Sequence, residues 1–169
     1  MALQRNKRSN DFEDESGLQD NVIKIDRYSK VVKGGRRFSF GALVVVGDRN
    51  GQVGIGYGKA NVVPQAVDKG ISDARKNLVK ICLSGGTIPH MVTGQWGASR
   101  VVLVPASEGT GVIAGKMIRP LLELAGIRDV LTKAYGSTTP RNLLKAGRQA
   151  LLKLRTAEVV QKLRGVELS

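Results

Sequence analysis

The sequence has little of what most catalytic and metal-binding sites require. Its 169 residues contain one cysteine, Cys82, and one histidine, His90. A disulfide within the chain is impossible, and a structural zinc site made of cysteine and histidine is excluded. Cys82 lies in an apolar run and is expected to be a core thiol, whereas His90 has no acid or nucleophile beside it. The lone cysteine favours an intracellular, reducing location, and we expect no metal and no cofactor.

Acidic and aromatic residues are also scarce, and no apolar run is long enough to span a bilayer. The chain has 27 Lys and Arg against 14 Asp and Glu, a formal net charge of +13 and a pI of about 10.3. Such an excess of like charge repels itself unless a polyanion neutralises it. Nucleic acid is favoured over an anionic membrane because no lipidation signal accompanies the charge. Aromatic residues make up 4% of the chain, which disfavours a base-stacking platform and favours contacts with nucleic-acid backbone and shape.

The first part of the chain has the pattern of three strands followed by a helix. Strands are predicted at 22–32, 38–46 and 52–60 from the two-residue apolar period, and a helix at 63–81 from the helical period. One face of the second strand is expected to carry Phe38, Phe40, Ala42, Val44 and Val46. The apolar stripe of the helix is expected to be Val67, Ile71, Ala74 and Leu78.

A basic turn with two glycines joins the first two predicted strands, with the sequence Lys-Gly-Gly-Arg-Arg at 33–37. Bare backbone beside cations suits a phosphate backbone, which supplies most of the affinity of nucleic-acid binding. A solvated turn whose charges serve solubility is the alternative.

Three glycines, Gly54, Gly56 and Gly58, share one face of the third predicted strand. Glycine in a strand often marks the close approach of another backbone. The pattern predicts a bare face against which a helix, a second domain or RNA lies, with a twisted, bulged strand as the alternative.

The pattern breaks at 83–87, and a second unit follows. We place a first domain at 21–84 and a second at 85–155, preceded by a disordered or extended arm at 1–20 and followed by a helix or tail at 156–169. The second unit is expected to have strands at 88–95, 100–105 and 129–135, and helices at 112–125, from Pro140 and at 156–165.

The helix that begins at Pro140 has two predicted faces. Thr139 is placed to cap it. Its inner stripe is Leu143, Gly147, Leu151 and Leu154, and its outer stripe is Arg141, Lys145 and Arg148. The outer stripe is expected either to contact RNA or to form a face exposed to solvent.

The loop at 106–111, Ala-Ser-Glu-Gly-Thr-Gly, is predicted to open the helix at 112–125. Free N–H groups and the helix dipole at such a start can hold a phosphate. With Ala114, and with Asp129 twenty residues after Gly109, the loop also fits the Gly-x-Gly-x-x-Ala dinucleotide pattern. Three facts oppose that interpretation. Asp129 precedes or starts its strand, whereas the pattern needs the acid at the end of the strand. Too little chain follows for a doubly wound sheet, and no catalytic base, nucleophile or metal cluster accompanies the loop.

Four segments stand in an order and spacing that resemble a known family. They are VVKGGRRFSF at 31–40, VVGDRNGQVGIGYGKA at 45–60, PASEGTGVIAG at 105–115 and AYGS at 134–137. They resemble the bacterial-type fifth small-subunit ribosomal protein family, over about residues 22–154. The N-terminal arm and the last helix match poorly.

The resemblance implies a two-domain α+β or α/β fold. The first domain is similar to a double-stranded-RNA-binding fold that lacks its first helix, with the order β-β-β-α. The second is a β-α-β fold with a left-handed crossover, a two-layer arrangement of sheet and helices, against the usual right-handed rule.

The resemblance also implies a function. The chain is expected to be a non-enzymatic constituent of the small ribosomal subunit that binds 16S-type ribosomal RNA and supports assembly, the mRNA entry path and translational accuracy. The resemblance places the chain in a cytoplasmic or organellar ribosome. Its expected protein neighbours are the fourth and eighth small-subunit proteins. We expect no membrane and no small-molecule substrate among its partners.

The candidate site residues follow from the basic segments and the resemblance together. RNA binding is assigned to Ser29, Lys30, Lys33, Gly34, Gly35, Arg36, Arg37, Lys59, Arg141 and Lys145. Contact with the fourth protein is assigned to Gly109, Gly111 and Arg119.

Two other classes of protein stay open at this point. A free-standing regulator that binds double-stranded RNA would share the charge and the first domain, but would not need the protein-contact loop of the second. A small dinucleotide-binding protein would use the loop at 106–111. Neither alternative explains all four segments.

Overall fold

The computed structural model describes residues 17–165, which form two mixed α/β domains. The first is a four-stranded sheet in the order β1-β2-β3-β4 with one helix. Its elements are β1 (Gln19–Val32), β2 (Gly35–Gly47), β3 (Gln52–Ala60), α1 (Val63–Lys76) and β4 (Val79–Lys80). The predicted arm at 1–20 lies outside the described residues except for its last part, where Gln19 already pairs with Gly47.

The predicted helix at 63–81 is too long. Helix α1 ends at Lys76. The side-chain amide of Asn77 donates to the backbone carbonyl of Asp73 and so competes with the backbone N–H groups for that acceptor. The following residues then pair as β4 with the start of β3, Val53 opposite Val79.

Helix α1 packs on β3 through its small residues. Three members of the predicted stripe face the core: Ala74 is buried, and Val67 and Ile71 are half-buried against the cluster beneath the helix. Leu78 lies beyond the end of α1. The prediction missed Ala66 and Gly70, which are the other residues buried on α1.

The glycine face of β3 lies directly against this small-residue stripe. A Cβ at Gly54, Gly56 or Gly58 would overlap the backbone carbonyl oxygens of Ala74, Gly70 and Ala66 respectively. The prediction that another element approaches this face closely is confirmed, and that element is α1.

The second half of strand β2, residues 41–47, is buried on both faces, whereas the sequence pattern predicted one buried face. Ala42, Val44 and Val46 face α1, as expected. Leu43 and Val45 join a second cluster that also contains most of the buried residues of the C-terminal domain, including Leu121. The two domains therefore share one core.

The second domain has a four-stranded sheet in the order β5-β6-β8-β7, with β7 parallel to β8 and the other pairs antiparallel. Its elements are β5 (Val92–Trp96), β6 (Ser99–Pro105), β7 (Val112–Ile113), α2 (Arg119–Leu124), β8 (Val130–Gly136), α3 (Pro140–Leu152) and α4 (Ala157–Arg164). Strands β7 and β8, joined through α2, form the expected β-α-β unit. The two-domain mixed fold is confirmed, while the handedness of the crossover stays a prediction.

The predicted helix at 112–125 is wrong over its first half. Val112 and Ile113 are paired as a strand with β8, and the helix begins only at Arg119. Pro120 explains the difference, because a proline in the interior of a helix removes a hydrogen bond and clashes with the preceding turn. At the start of α2 it is tolerated.

Helix α3 has the predicted inner face, with Leu143, Gly147 and Leu151 buried and Leu154 5% exposed just beyond its end. Thr139 occupies the position before it, but its side chain does not cap the helix and instead lies 3.1 Å from the Ser137 hydroxyl. Helix α4 is capped by Thr156, whose hydroxyl accepts the N–H of Val159 at 3.4 Å.

The turn between β2 and β3 fastens the domains together. The N–H of Arg49 donates to the carbonyl of Leu124 at 2.9 Å, and that of Gly51 to the carbonyl of Ala125 at 3.1 Å. Arg49 has a φ of 56°, which few residues other than glycine adopt. These bonds satisfy carbonyl groups at the end of α2 that have no partner within the helix.

Replacing Gly56 by alanine tests the close packing of α1 on β3. The added methyl group would meet the backbone of Gly70, so we expect Gly56→Ala to lower the free energy of unfolding by about 3 kcal/mol, toward the upper end for overpacked cores. Chemical denaturation of purified protein measures the change. Gly115→Ala is the matched control, because a Cβ there would meet nothing within 4 Å. Equal stability of the two variants would contradict the packing.

Candidate nucleic-acid interface

Strands β1 and β2 continue beyond the sheet as a two-stranded ribbon. Pairing of β2 with β3 starts at Phe40, opposite Ala60, whereas β1 and β2 stay paired as far as Val32 and Gly35. All the residues of the ribbon predicted to bind RNA are exposed, namely Ser29, Lys30, Lys33, Gly34, Gly35, Arg36 and Arg37.

Like charges face each other across the ribbon. Lys30 is directly opposite Arg37, an arrangement that destabilises a pair of strands. Val31, 74% exposed, pairs with Arg36 on the other face. Both faces of the ribbon are therefore basic, and an anion against either one would relieve repulsion.

The turn at the end of the ribbon has bare backbone. Gly34 has a φ of 85°, and a Cβ there would meet nothing within 4 Å. Glycine is thus required for backbone rotation, not for space in the free protein. The open surroundings leave room for another backbone to approach.

Aromatic rings hold several of the cations. Arg27 lies over Phe38, with its Cζ 3.7 Å from the ring centroid. Lys145 lies over Trp96, with its Nζ 4.8 Å from the ring centroid. These contacts restrain the side chains without neutralising their charge.

A pair of tyrosines in the N-terminal domain lies beside α3 of the second domain. The hydroxyl of Tyr57 donates to that of Tyr28 at 3.2 Å, and both rings pack over Gly41, where a Cβ would meet them. Lys59 lies over Tyr28, with its Nζ 5.4 Å from the ring centroid. Arg141 of α3 lies over Tyr57, with its Cζ 4.1 Å from that centroid.

Tyr57 keeps its proton in this setting. Burial raises the pKa of its hydroxyl, the hydrogen bond with Tyr28 raises it further, and Arg141 and Lys59 oppose the shift. A neutral hydroxyl leaves the charge of the two cations uncompensated. The structure thus brings together Lys59, Arg141 and Lys145, which the sequence analysis proposed separately, around rings that it did not consider.

The loop at 106–111 does not open a helix, so the predicted phosphate cradle is wrong. The loop leads into β7, and the N–H of Gly111 already donates to the Asp129 carboxylate at 2.8 Å. Asp129 is 7% exposed, and its carboxylate accepts a hydrogen bond within the protein. The dinucleotide pattern would need this acid to bind a ribose instead. Strand–turn–helix geometry, which that pattern requires, is absent from this part of the described structure.

The three residues assigned to a protein contact lie at this loop and beyond it. Gly109 is exposed and Gly111 half-buried. Arg119, at the start of α2, is exposed and reaches back to donate from Nη2 to the carbonyl of Ala114 at 3.3 Å.

His90 has a structural role. Its Nε2 accepts the N–H of Arg155 at 3.2 Å, which places the ring proton on Nδ1, 3.0 Å from the carbonyl of Met91. Cys82 is a free, half-buried thiol packed against the shared core. Within residues 17–165 there is no group of three or more metal-ligating side chains, and no helix there is long and apolar enough to cross a membrane.

A two-domain fold with an exposed basic ribbon and a second group of cations on α3 defines the chain as an RNA-binding protein. Residues 18–82 match the N-terminal domain of ribosomal protein S5, and residues 94–164 match its C-terminal domain. The chain therefore belongs to the ribosomal protein S5 family.

Curated relatives agree over nearly the whole chain. The small ribosomal subunit protein uS5 of Rhodopirellula baltica is 53% identical over 98% of this chain and 96% of its own length. That of Rubrobacter xylanophilus is 53% identical over 97% of this chain and 82% of its own. The uS5 protein of Syntrophobacter fumaroxidans is 54% identical over 89% of this chain and 91% of its own length.

Sequence reasoning missed four residues of this interface: Arg27, Tyr28, Tyr57 and Trp96. Strand register could have found Arg27, since it is the neighbour of Tyr28 in β1 and lies close to Phe38 once the hairpin is paired. The contact of Tyr57 with α3 depends on how the two domains pack, and that of Trp96 with α3 depends on how the helix packs on its own sheet. No local pattern contains either.

Removing the Asp129 carboxylate tests the structural role assigned to it. In Asp129→Ala the N–H of Gly111 loses its acceptor, so we expect a loss of about 1–3 kcal/mol of stability and faster hydrogen exchange of the Gly111 amide. Asp129→Asn, which keeps an oxygen acceptor, is the control and should exchange more slowly than the alanine variant. Identical exchange in wild type and Asp129→Ala would show that the bond is unimportant.

Proposed function

We propose that this chain is a structural constituent of the small ribosomal subunit that binds 16S-type ribosomal RNA and carries out no chemistry of its own. The observation that carries the proposal is the exposed ribbon of β1 and β2, where Lys30 faces Arg37 with no acid between them. The names and high identity of the relatives support the same assignment.

The ribbon contacts phosphates with its side chains and its turn. Lys30, Lys33, Arg36 and Arg37 neutralise charge, while Ser29 is a neutral hydrogen-bonding group beside them. Gly34 and Gly35 let the RNA backbone approach the protein backbone. If about six phosphates are neutralised in all, affinity falls on the order of a thousandfold between low and moderate salt.

The cations around α3 form a second contact. Lys59 comes from β3, and Arg141 and Lys145 come from α3, so this contact uses both domains. Because the domains share a core, the ribbon and α3 hold two RNA segments at a fixed separation. Fixing RNA segments relative to one another is the mechanism by which the protein supports subunit assembly.

The loop and α2 serve protein neighbours. Gly109, Gly111 and Arg119 contact the fourth small-subunit protein, and the eighth protein is the other neighbour. The chain lies near the mRNA entry path and influences accuracy. The ribosome in question is cytoplasmic. The domains are taken as 21–84 and 85–155, with a tail at 156–169 and an arm at 1–20 whose last two residues already belong to β1.

Sedimentation through a sucrose gradient tests the function. The native chain, detected by mass spectrometry, is expected to migrate in stoichiometric amount with small subunits and to survive a moderate salt wash. The double variant Lys30→Gln and Arg37→Gln should leave the subunit at lower salt, because two lost phosphate contacts weaken binding. Its slope of log affinity against log salt should also be shallower, by about 0.7–0.9 for each lost contact.

The control for charge is the double variant Lys162→Gln and Arg164→Gln in α4, which removes the same number of charges from an exposed helix. It should be released at the same salt as wild type. A native chain found in the soluble top fractions, with tight binding to any RNA duplex, would favour the free-standing regulator instead.

A substitution at Arg119 tests the role in accuracy. The contact with the fourth protein is taken to be marginal and to break when the small subunit closes, so weakening it favours the closed form. We therefore expect Arg119→Ala to increase misreading in a reporter strain several-fold, with Lys116→Ala, an exposed neighbour, as the control. Normal assembly with unchanged accuracy would count against this role.

A further inference from the structure

A cleft lies between the domains, where α3 faces β3 and the end of α1. It has a volume of about 270 Å³, room for one phosphate group and several waters, each of which takes about 30 Å³ in the liquid. Three cations of α3 line it, Arg141, Lys145 and Arg148, together with Tyr57 and one acid, Asp73. Their spacing along α3 places all three cations on the same side of the helix.

Arg148 is the unusual member of this group. Its Nε is buried and has no hydrogen-bond partner within residues 17–165, and the residue as a whole is only half-exposed. A buried donor atom of a charged group that has no acceptor is costly, and such donors are normally paired.

The acid of the cleft is already engaged elsewhere. Asp73 accepts the N–H of Tyr57 at 2.9 Å through Oδ2, and the amide of Asn77 at 3.3 Å through Oδ1. Arg141 and Lys145 rest on aromatic rings, which orient them and leave their charge in place. The cleft therefore has a surplus of positive charge and an unused buried donor.

We propose that this cleft holds one phosphodiester group of the ribosomal RNA backbone, with Arg141, Lys145 and Arg148 of its lining as the residues that donate to it. The inference rests on the proposed function and adds a specific site to it. A phosphodiester fits because it brings one negative charge and several acceptor oxygens, and charged hydrogen bonds to arginine are among the strongest in proteins. An acidic side chain of a neighbouring protein is the competing occupant.

Hydroxyl-radical footprinting of the RNA distinguishes these occupants. Small-subunit particles lacking this chain are rebuilt with wild type, with Arg148→Met, which keeps most of the side-chain volume, or with Lys162→Met as the control for charge. We expect Arg148→Met to lose protection at one short stretch of RNA backbone, to bind roughly tenfold more weakly, and to keep the protection given by the ribbon. Lys162→Met should match wild type.

Unchanged protection in Arg148→Met would overturn the inference and leave the proposed function intact, because the ribbon would still protect its own stretch. The absence of any protection by wild type would instead defeat the proposed function. The thermal midpoint of the free variant, expected to equal or exceed that of wild type because a half-buried charge is removed, verifies folding.

If the variant does not fold, wild type alone decides the matter. The Nε–H signal of Arg148 in an NMR spectrum is followed while inorganic phosphate is added. A saturable shift at Arg148, with a weaker and unsaturated one at the exposed Arg36, supports the site. No shift at Arg148 would overturn it.

Discussion

The close approach of α1 to the glycine face of β3 is the constraint on which the rest of the structure depends. Three glycines in β3 meet three small residues of α1, so this face of β3 has no room for side chains. The large residues of β3, Ile55 and Tyr57, must then lie on the opposite face, which the C-terminal domain covers. The position of Arg141 over Tyr57, and with it the cleft beside α3, follows from that packing.

The same constraint makes the molecule a rigid spacer. Leu43 and Val45 of β2 belong to the core of the C-terminal domain, while Val44 between them faces α1. Movement of one domain relative to the other would expose apolar surface that is now buried, at a cost of about 25 cal/mol per Å². The turn at Arg49 adds hydrogen bonds to the end of α2. Two basic surfaces on such a body can fix two RNA segments relative to each other without any conformational change.

Sequence patterns predicted the fold to the extent that local signals carried it. The limits of β3 and the start of α1 were predicted correctly, because Gly51 and Pro64 mark them chemically. The helix predicted at 112–125 failed because apolar spacing was weighed above Pro120. The burial of both faces of β2 could not be predicted, since its second face is covered by residues more than seventy positions further along the chain, such as Leu121. The basic ribbon was visible in the sequence, whereas the unpaired state of Arg148 is a property of tertiary packing alone.

The scarcity of aromatic residues also has a physical explanation in this arrangement. Phe38, Tyr28, Tyr57 and Trp96 each lie beneath a cation, so the covered face of each ring is not available for stacking on a base. A covered ring restrains the long basic side chain above it. Part of the conformational entropy of that side chain is therefore lost on folding and not on binding. The charge stays available because the ring does not neutralise it. Cations restrained in this way lose less side-chain freedom when they bind an anion.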